Sequence, residues 1–151
     1  MSNDPAVNIA TVTSDERMFA MFSHLSIFFG GLILPLIFWA INKDKSKFVS
    51  FHSLQALFFH IAFAFIILLF VFLIAFGFIS INIFAVKGGR HAGDPSAFFL
   101  LIVFAFYGLI FLFAAGAVIY SIFMAIKSYG GNLNKYPVIG SIVYKKIYGA
   151  G

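Results

Sequence analysis

From residue 51 to residue 86 the chain carries no charged side chain. A helix over that stretch would be about 45–55 Å long, more than the ~30 Å hydrocarbon core of a bilayer and too little for two crossings. Two further stretches are of the same kind. Residues 18–41 hold no charged group, and a third apolar run follows "GDPSAFF" and ends near "YGGN". The expected fold is an all-α integral membrane protein with three transmembrane helices, at about 18–41, 51–86 and 95–129. The second and third are long enough to tilt, bend or protrude.

Composition excludes the alternatives. Hydrophobic residues make up 62% of the chain and charged ones 10%, with 23 phenylalanines, against about 25% charged in soluble domains. A soluble fold of this size cannot hide so much apolar surface. No cysteine is present, which removes disulfides, thiol catalysis and thiolate metal sites. The net charge of +5 lies in short islands between apolar runs. It suits a bilayer with anionic headgroups, and no nucleic-acid partner is expected. Residues 1–16 read as a flexible polar tail without signal-peptide features, ahead of one transmembrane domain over 17–148.

Local signals set the expected ends and bends. In "FFGGLILPLIFW", Pro35 cannot donate and crowds the carbonyl of Gly31, so a kink is expected at Gly30–Gly31/Pro35. Ser50 is the expected cap of the second helix. Asp94 and Pro95 open the third, and Gly130 and Gly131 stop it in a left-handed turn. Residues 132–148 mix apolar side chains with Lys135, Lys145 and Lys146, which fits a segment lying at the interface. With three crossings, Arg17, Lys87 and Arg90 share one side. Lys43, Lys45, Lys47, Lys127, Lys135, Lys145 and Lys146 share the other. Lysine-rich loops stay in the cytoplasm, which implies an outer N-terminus and a cytoplasmic C-terminus.

Small and polar residues mark where helices meet. Ser23, Ser26 and Gly30 form one stripe, Ser53, Ala56, His60 and Ala64 a second, and Ala114, Ala117, Ser121 and Ala125 a third. His60 is expected to face protein, because an imidazole in lipid is costly. His24, His52 and His60 are the only set resembling a metal site, but three crossings place His24 in the opposite half of the bilayer from His52. Ligands must converge within about 2 Å of an ion, so no metal and no cofactor is expected. With no acidic residue inside a span and no serine–histidine–carboxylate grouping, no enzymatic activity is expected either. In the 42–60 stretch, Lys43, Lys45 and Lys47 reach lipid headgroups, and His52 and Gln55 occupy the wet first turns of the second helix, near Tyr136 and Pro137. Candidate helix-interface or partner-contact residues are Ser23, His24, Ser26, Gly30, Pro35, His52, Gln55, His60, Tyr136 and Pro137.

The sequence also resembles the DUF4870, or Tic20-like, bacterial membrane proteins. The likeness rests on His24–Leu25–Ser26, Pro35, Trp39, Lys43, Asp44, Ser46, Phe48, Val49, Phe51 and His52, with Gly131, Tyr136 and Pro137 near the end. It implies a three- or four-helix fold in the bacterial inner membrane. The expected function is that of a small non-enzymatic inner-membrane protein, an accessory or scaffold subunit partnered by other membrane proteins. The alternative implied by the resemblance is a Tic20-like translocation or transport component.

Overall fold

A computed structural model describes residues 12–29, 31–87 and 97–149. Its elements are α1 (Ser14–Leu25), a 3-10 turn (Ser26–Phe28), α2 (Ile33–Asn42), α3 (Lys47–Lys87), α4 (Ala97–Tyr129) and α5 (Ile139–Tyr148). The protein is all-α, with no strand among the described residues. Two helices are long and apolar enough to cross a membrane, at Lys47–Phe84 and Phe99–Tyr129. Their most apolar windows are almost wholly unburied, so this surface is solvated by lipid and not by a protein core. The tail over residues 1–11, Gly30, and the expected Asp94 and Pro95 caps lie outside the described residues.

The expected single kinked helix over 18–41 is not formed. It is two short helices joined by the 3-10 turn and a bend in which Gly31 takes φ 51°. Helices of 12 and 10 residues reach only about 15–18 Å each, short of a crossing. They fold back on one another. Phe19 of α1 meets Phe38 of α2 with ring centroids 5.2 Å apart, and the Glu16 carboxylate accepts from the Ser46 hydroxyl just past α2. Pro35 is not the cause of the break. With Leu32 as the cap, Pro35 is the third residue of α2, where the missing N–H had no intrahelical acceptor anyway. The proline starts a helix and does not bend one.

The first turn of α1 is closed by a capping box. The Thr13 hydroxyl accepts from the Glu16 N–H at 3.3 Å, and the Glu16 carboxylate accepts from the Thr13 N–H at 2.8 Å, which meets two orphan donors. Burial alone would raise the Glu16 carboxyl. Hydrogen bonds from Ser46 and Thr13 outweigh it and hold the group below its ordinary value. The start of α3 also differs from expectation. The helix begins at Lys47, so Ser46 and not Ser50 is its cap, its hydroxyl accepting from the Val49 N–H at 3.2 Å. The Ser50 hydroxyl instead donates back to the Asn42 carbonyl at 3.2 Å. At the far end of α4, Gly131 has φ 81° and the Asn132 N–H donates to the Lys127 carbonyl at 3.1 Å, a left-handed stop that glycine allows.

The chain divides into two compact units, Met1–Ala62 with Val118–Gly151, and Phe63–Ala117. In the first, Val12, Ala20 and Phe48 form one buried cluster with Leu133 against it. Phe51, Leu54 and Val143 form another, covered by Trp39, Ile139, Tyr144 and Tyr148. The C-terminal segment therefore rests one face on α3, with Gly140 and Val143 buried and Lys145 and Lys146 exposed. Tyr136, in the segment expected at the interface, is 1% exposed. In the second unit α3 and α4 run antiparallel through paired rings: Phe63 with Phe113, Phe70 with Phe106, Phe78 with Phe99, at 5.6, 6.3 and 5.9 Å. Steps of seven or eight residues bring each phenylalanine back to one helix face, and ring pairs at this spacing attract beyond their buried area.

This arrangement ranks two substitutions. Gly31→Ala meets open space but must hold a left-handed backbone, at a cost of about 1–2 kcal/mol. Pro35→Ala frees only the unfolded chain and costs about 0.4–1 kcal/mol. Thermal unfolding in detergent is expected to show the larger loss for Gly31→Ala.

Candidate functional site

The first unit encloses a knot of polar side chains. Ser23, His24, Ser26, His52, Ser53 and Gln55 are fully buried, and His60 is 3% exposed. Buried polar groups are stable only when partnered, and here the partners are specific. Across α1 and α3 the hydroxyls of Ser23 and Ser53 meet at 2.8 Å. At the bend, the Gly31 carbonyl accepts from His60 Nδ1 at 2.9 Å and from the Ser26 hydroxyl at 3.1 Å. The Ser26 hydroxyl also lies 2.8 Å from the Ser23 carbonyl and 3.4 Å from His60 Nδ1. His60 Nε2 is buried with no hydrogen-bond partner.

The histidine tautomers follow from the acceptors they face. The Asn132 carbonyl, 3.1 Å from His52 Nε2, can only accept, so Nε2 carries the proton and Nδ1 of the neutral ring accepts. His24 Nε2, 3.1 Å from His52 Nδ1, is then the donor. His24 Nδ1 in turn accepts from the Tyr136 hydroxyl at 3.2 Å. Burial pushes the Tyr136 phenol well above its ordinary range, so it remains a protonated donor. The chain of donors runs one way, from Tyr136 through His24 and His52 to a backbone carbonyl. Gln55 works beside it. Its Nε2 donates to the Asn134 carbonyl at 3.0 Å and approaches His52 Nδ1 at 3.2 Å, and its Oε1 accepts from the Tyr136 N–H at 3.3 Å. Phe59 stacks on the Tyr136 ring at 4.3 Å, and Tyr120 leans on it at 5.3 Å.

His24 does not lie apart from His52 as three crossings require, because the first segment turns back and α1 runs alongside the start of α3. The contact is nevertheless unsuited to a metal ion. The rings lie with centroids 5.3 Å apart and planes at 84°, so the two nitrogens meet nearly end to end. An ion between them needs about 4 Å, twice a metal–nitrogen bond; the 3.1 Å separation suits a proton. Among the described residues no group of three or more His, Cys, Asp or Glu is arranged for a metal.

Of the candidate residues, Ser23, His24, Ser26, His52, Gln55, His60 and Tyr136 meet in this one site. Pro35 is buried elsewhere in α2, Pro137 is exposed, and Gly30 lies outside the described residues. Lys43, Lys45 and Lys47 are exposed. Sequence reasoning missed the acceptors at Asn132 and Asn134, because they are backbone carbonyls that any residue would supply. The turn at Val138, inside the expected 132–148 segment, was missed as well. Val138 has φ 64° and ψ −63°, and the Ile139 N–H donates to the Pro137 carbonyl at 2.7 Å, a tight and strained three-residue turn. Gly140 follows because a Cβ there would stand 2.7 Å from the Lys135 Cα.

The fold and site define a small helical membrane protein whose buried polar groups hold its own backbone in place. The chain belongs to the MamF/MmsF family, described as the magnetosome magnetite crystal formation protein family, whose model matches residues 15–143. That match overturns the likeness to the DUF4870 or Tic20-like proteins. The His24–Leu25–Ser26, Lys43–Asp44 and Phe51–His52 elements on which the likeness rested all fall inside the matched span. No curated protein and no solved structure matches the chain.

Gln55→Ala leaves the Asn134 carbonyl and the Tyr136 N–H without their partner, at about 1–3 kcal/mol for each group. Hydrogen exchange is expected to rise at Tyr136 and its neighbours well before it rises in the helical part of α3.

Proposed function

We propose that this protein is a non-enzymatic accessory or scaffold subunit of the magnetosome membrane that acts with other membrane proteins during magnetite crystal formation. Family membership supports the setting. The exposed apolar faces of α3 and α4 support residence in the bilayer. The observation that carries the non-enzymatic reading is the use made of the buried polar groups. Both ring nitrogens of His24 and of His52, and both ends of the Gln55 amide, are engaged with the protein itself. A general base or ligand needs a free lone pair aimed at a substrate, and these groups are committed to positioning the chain after α4.

Deletion of the gene, with the protein restored from a plasmid, tests the reading. Magnetosome membranes are expected to retain the restored protein after a high-salt wash and to release it in mild detergent together with other membrane proteins. Crystals in the deletion strain are expected to be altered in size or shape. Unchanged crystals, or a protein that leaves detergent alone, would contradict it.

A further inference from the structure

The bend in the first apolar segment has a topological consequence. Its tip at Ser26–Gly31 meets His60, thirteen residues into α3 from Lys47, or about 20 Å along the helix axis. That is deep in a ~30 Å core but short of the far side. Both open ends return to one place, since Glu16 reaches Ser46. The hairpin's outer surface is apolar: Phe29 is 79% exposed and Ile33 64%, with Phe28, Ile37 and Ile41 also exposed. Such a surface belongs in lipid. An irregular turn is tolerated at that depth only if its carbonyls are met, as Gly31's is by Ser26 and His60.

Charge gathers at the open end. Of ten lysines and arginines, all but Lys87 and Arg90 lie in the unit that contains this hairpin. Four of their ammonium groups are held against aromatic rings: Lys43 over Trp39 at 5.9 Å, Lys47 over Tyr148 at 5.9 Å, Lys127 over Phe123 at 5.6 Å and Lys135 over Tyr144 at 3.5 Å. Tyr144 and Tyr148 stack on each other at 4.8 Å, so Lys47 and Lys135 flank one pair of rings. Rings with a polar edge belong at headgroup level, where ammonium groups meet lipid phosphates.

We propose that residues 14–42 are a re-entrant hairpin which enters and leaves the bilayer on one face. This brings α1's start, the 42–47 turn and the C-terminal segment together as a binding surface for anionic phospholipid headgroups, centred on Lys43, Lys47 and Lys135. The N-terminal side of α1 then shares the cytoplasmic, lysine-rich face with the C-terminus. That is the opposite placement from the one three crossings require, and it makes the lysine bias steeper. The inference is independent of any role in crystal formation.

The chain has no cysteine, so single cysteines report cleanly. Ser14→Cys, Asp44→Cys and Ser141→Cys, each in oriented membrane vesicles, are expected to react with a membrane-impermeant maleimide from the same side. Labelling of Ser14→Cys and Asp44→Cys from opposite sides overturns the hairpin. For the lipid, the protein is placed in nanodiscs of mixed phosphatidylglycerol and phosphatidylcholine, and the lipids it retains are read by native mass spectrometry. Each of Lys43→Gln, Lys47→Gln and Lys135→Gln is expected to lower phosphatidylglycerol retention about fivefold, and arginine at the same positions is expected to restore it. Retention unchanged by the glutamine variants, equal retention of both lipids, or capture of an acidic soluble protein in preference to lipid overturns the headgroup surface.

Discussion

A polypeptide that turns inside an apolar medium must find partners for the peptide groups that the turn releases. In this protein the requirement falls at Gly31, whose carbonyl cannot be reached by a helix on either side of the bend. His60 Nδ1 donates to it, and the Ser26 hydroxyl shares its one proton between it and the Ser23 carbonyl. Without them a half-buried carbonyl is left bare, at a cost of up to about 1–3 kcal/mol in an apolar surround. The contact also sets the register of α1 against α3, and from that register the rest follows: Ser23 meets Ser53, His24 meets His52, and Glu16 meets Ser46.

A second fastening depends on the first. Once His24 stands beside His52, the pair can be completed by Tyr136 on one side and the Asn132 carbonyl on the other. Gln55 reads the backbone of the same segment through both ends of its amide. The extended stretch after α4 has no helix to satisfy its N–H and C=O groups, so side chains of α3 do so. Packing then closes over it. Phe59 and Tyr120 cover the Tyr136 ring, and Val143 seals against Phe51 and Leu54. The polar knot is therefore an organiser of chain path.

The two long helices were legible because an uncharged run of such length has few other fates, and Gly130–Gly131 announced the stop of α4 by chemistry local to those residues. The first segment misled for a physical reason. Its apolar length equals that of a spanning helix, and hydropathy does not distinguish a helix that crosses from two that fold back. Ser23 and Ser26 marked a contact face toward Ser53 and His60, and a crossing helix and a hairpin use such a face alike. Pro35 drew attention away from them, because a proline reads as a kink unless the helix start is known to lie just before it. His52 and Gln55 were placed near Tyr136, but their acceptors at Asn132 and Asn134 could not be read, being main-chain oxygens. The phenylalanine ladder of the second unit was hidden among 23 phenylalanines, many of them exposed elsewhere on the helices.

Spin labels at Asp15 and Lys43, in protein reconstituted in lipid, test the fold-back most directly. Two helices packed side by side stand 8–10 Å apart, so pulsed electron paramagnetic resonance should return a label separation of about 10–20 Å that lengthens when Ser26→Ala and His60→Ala are combined. A single distribution near 42 Å, the length of an unbroken helix between those positions, would contradict the account.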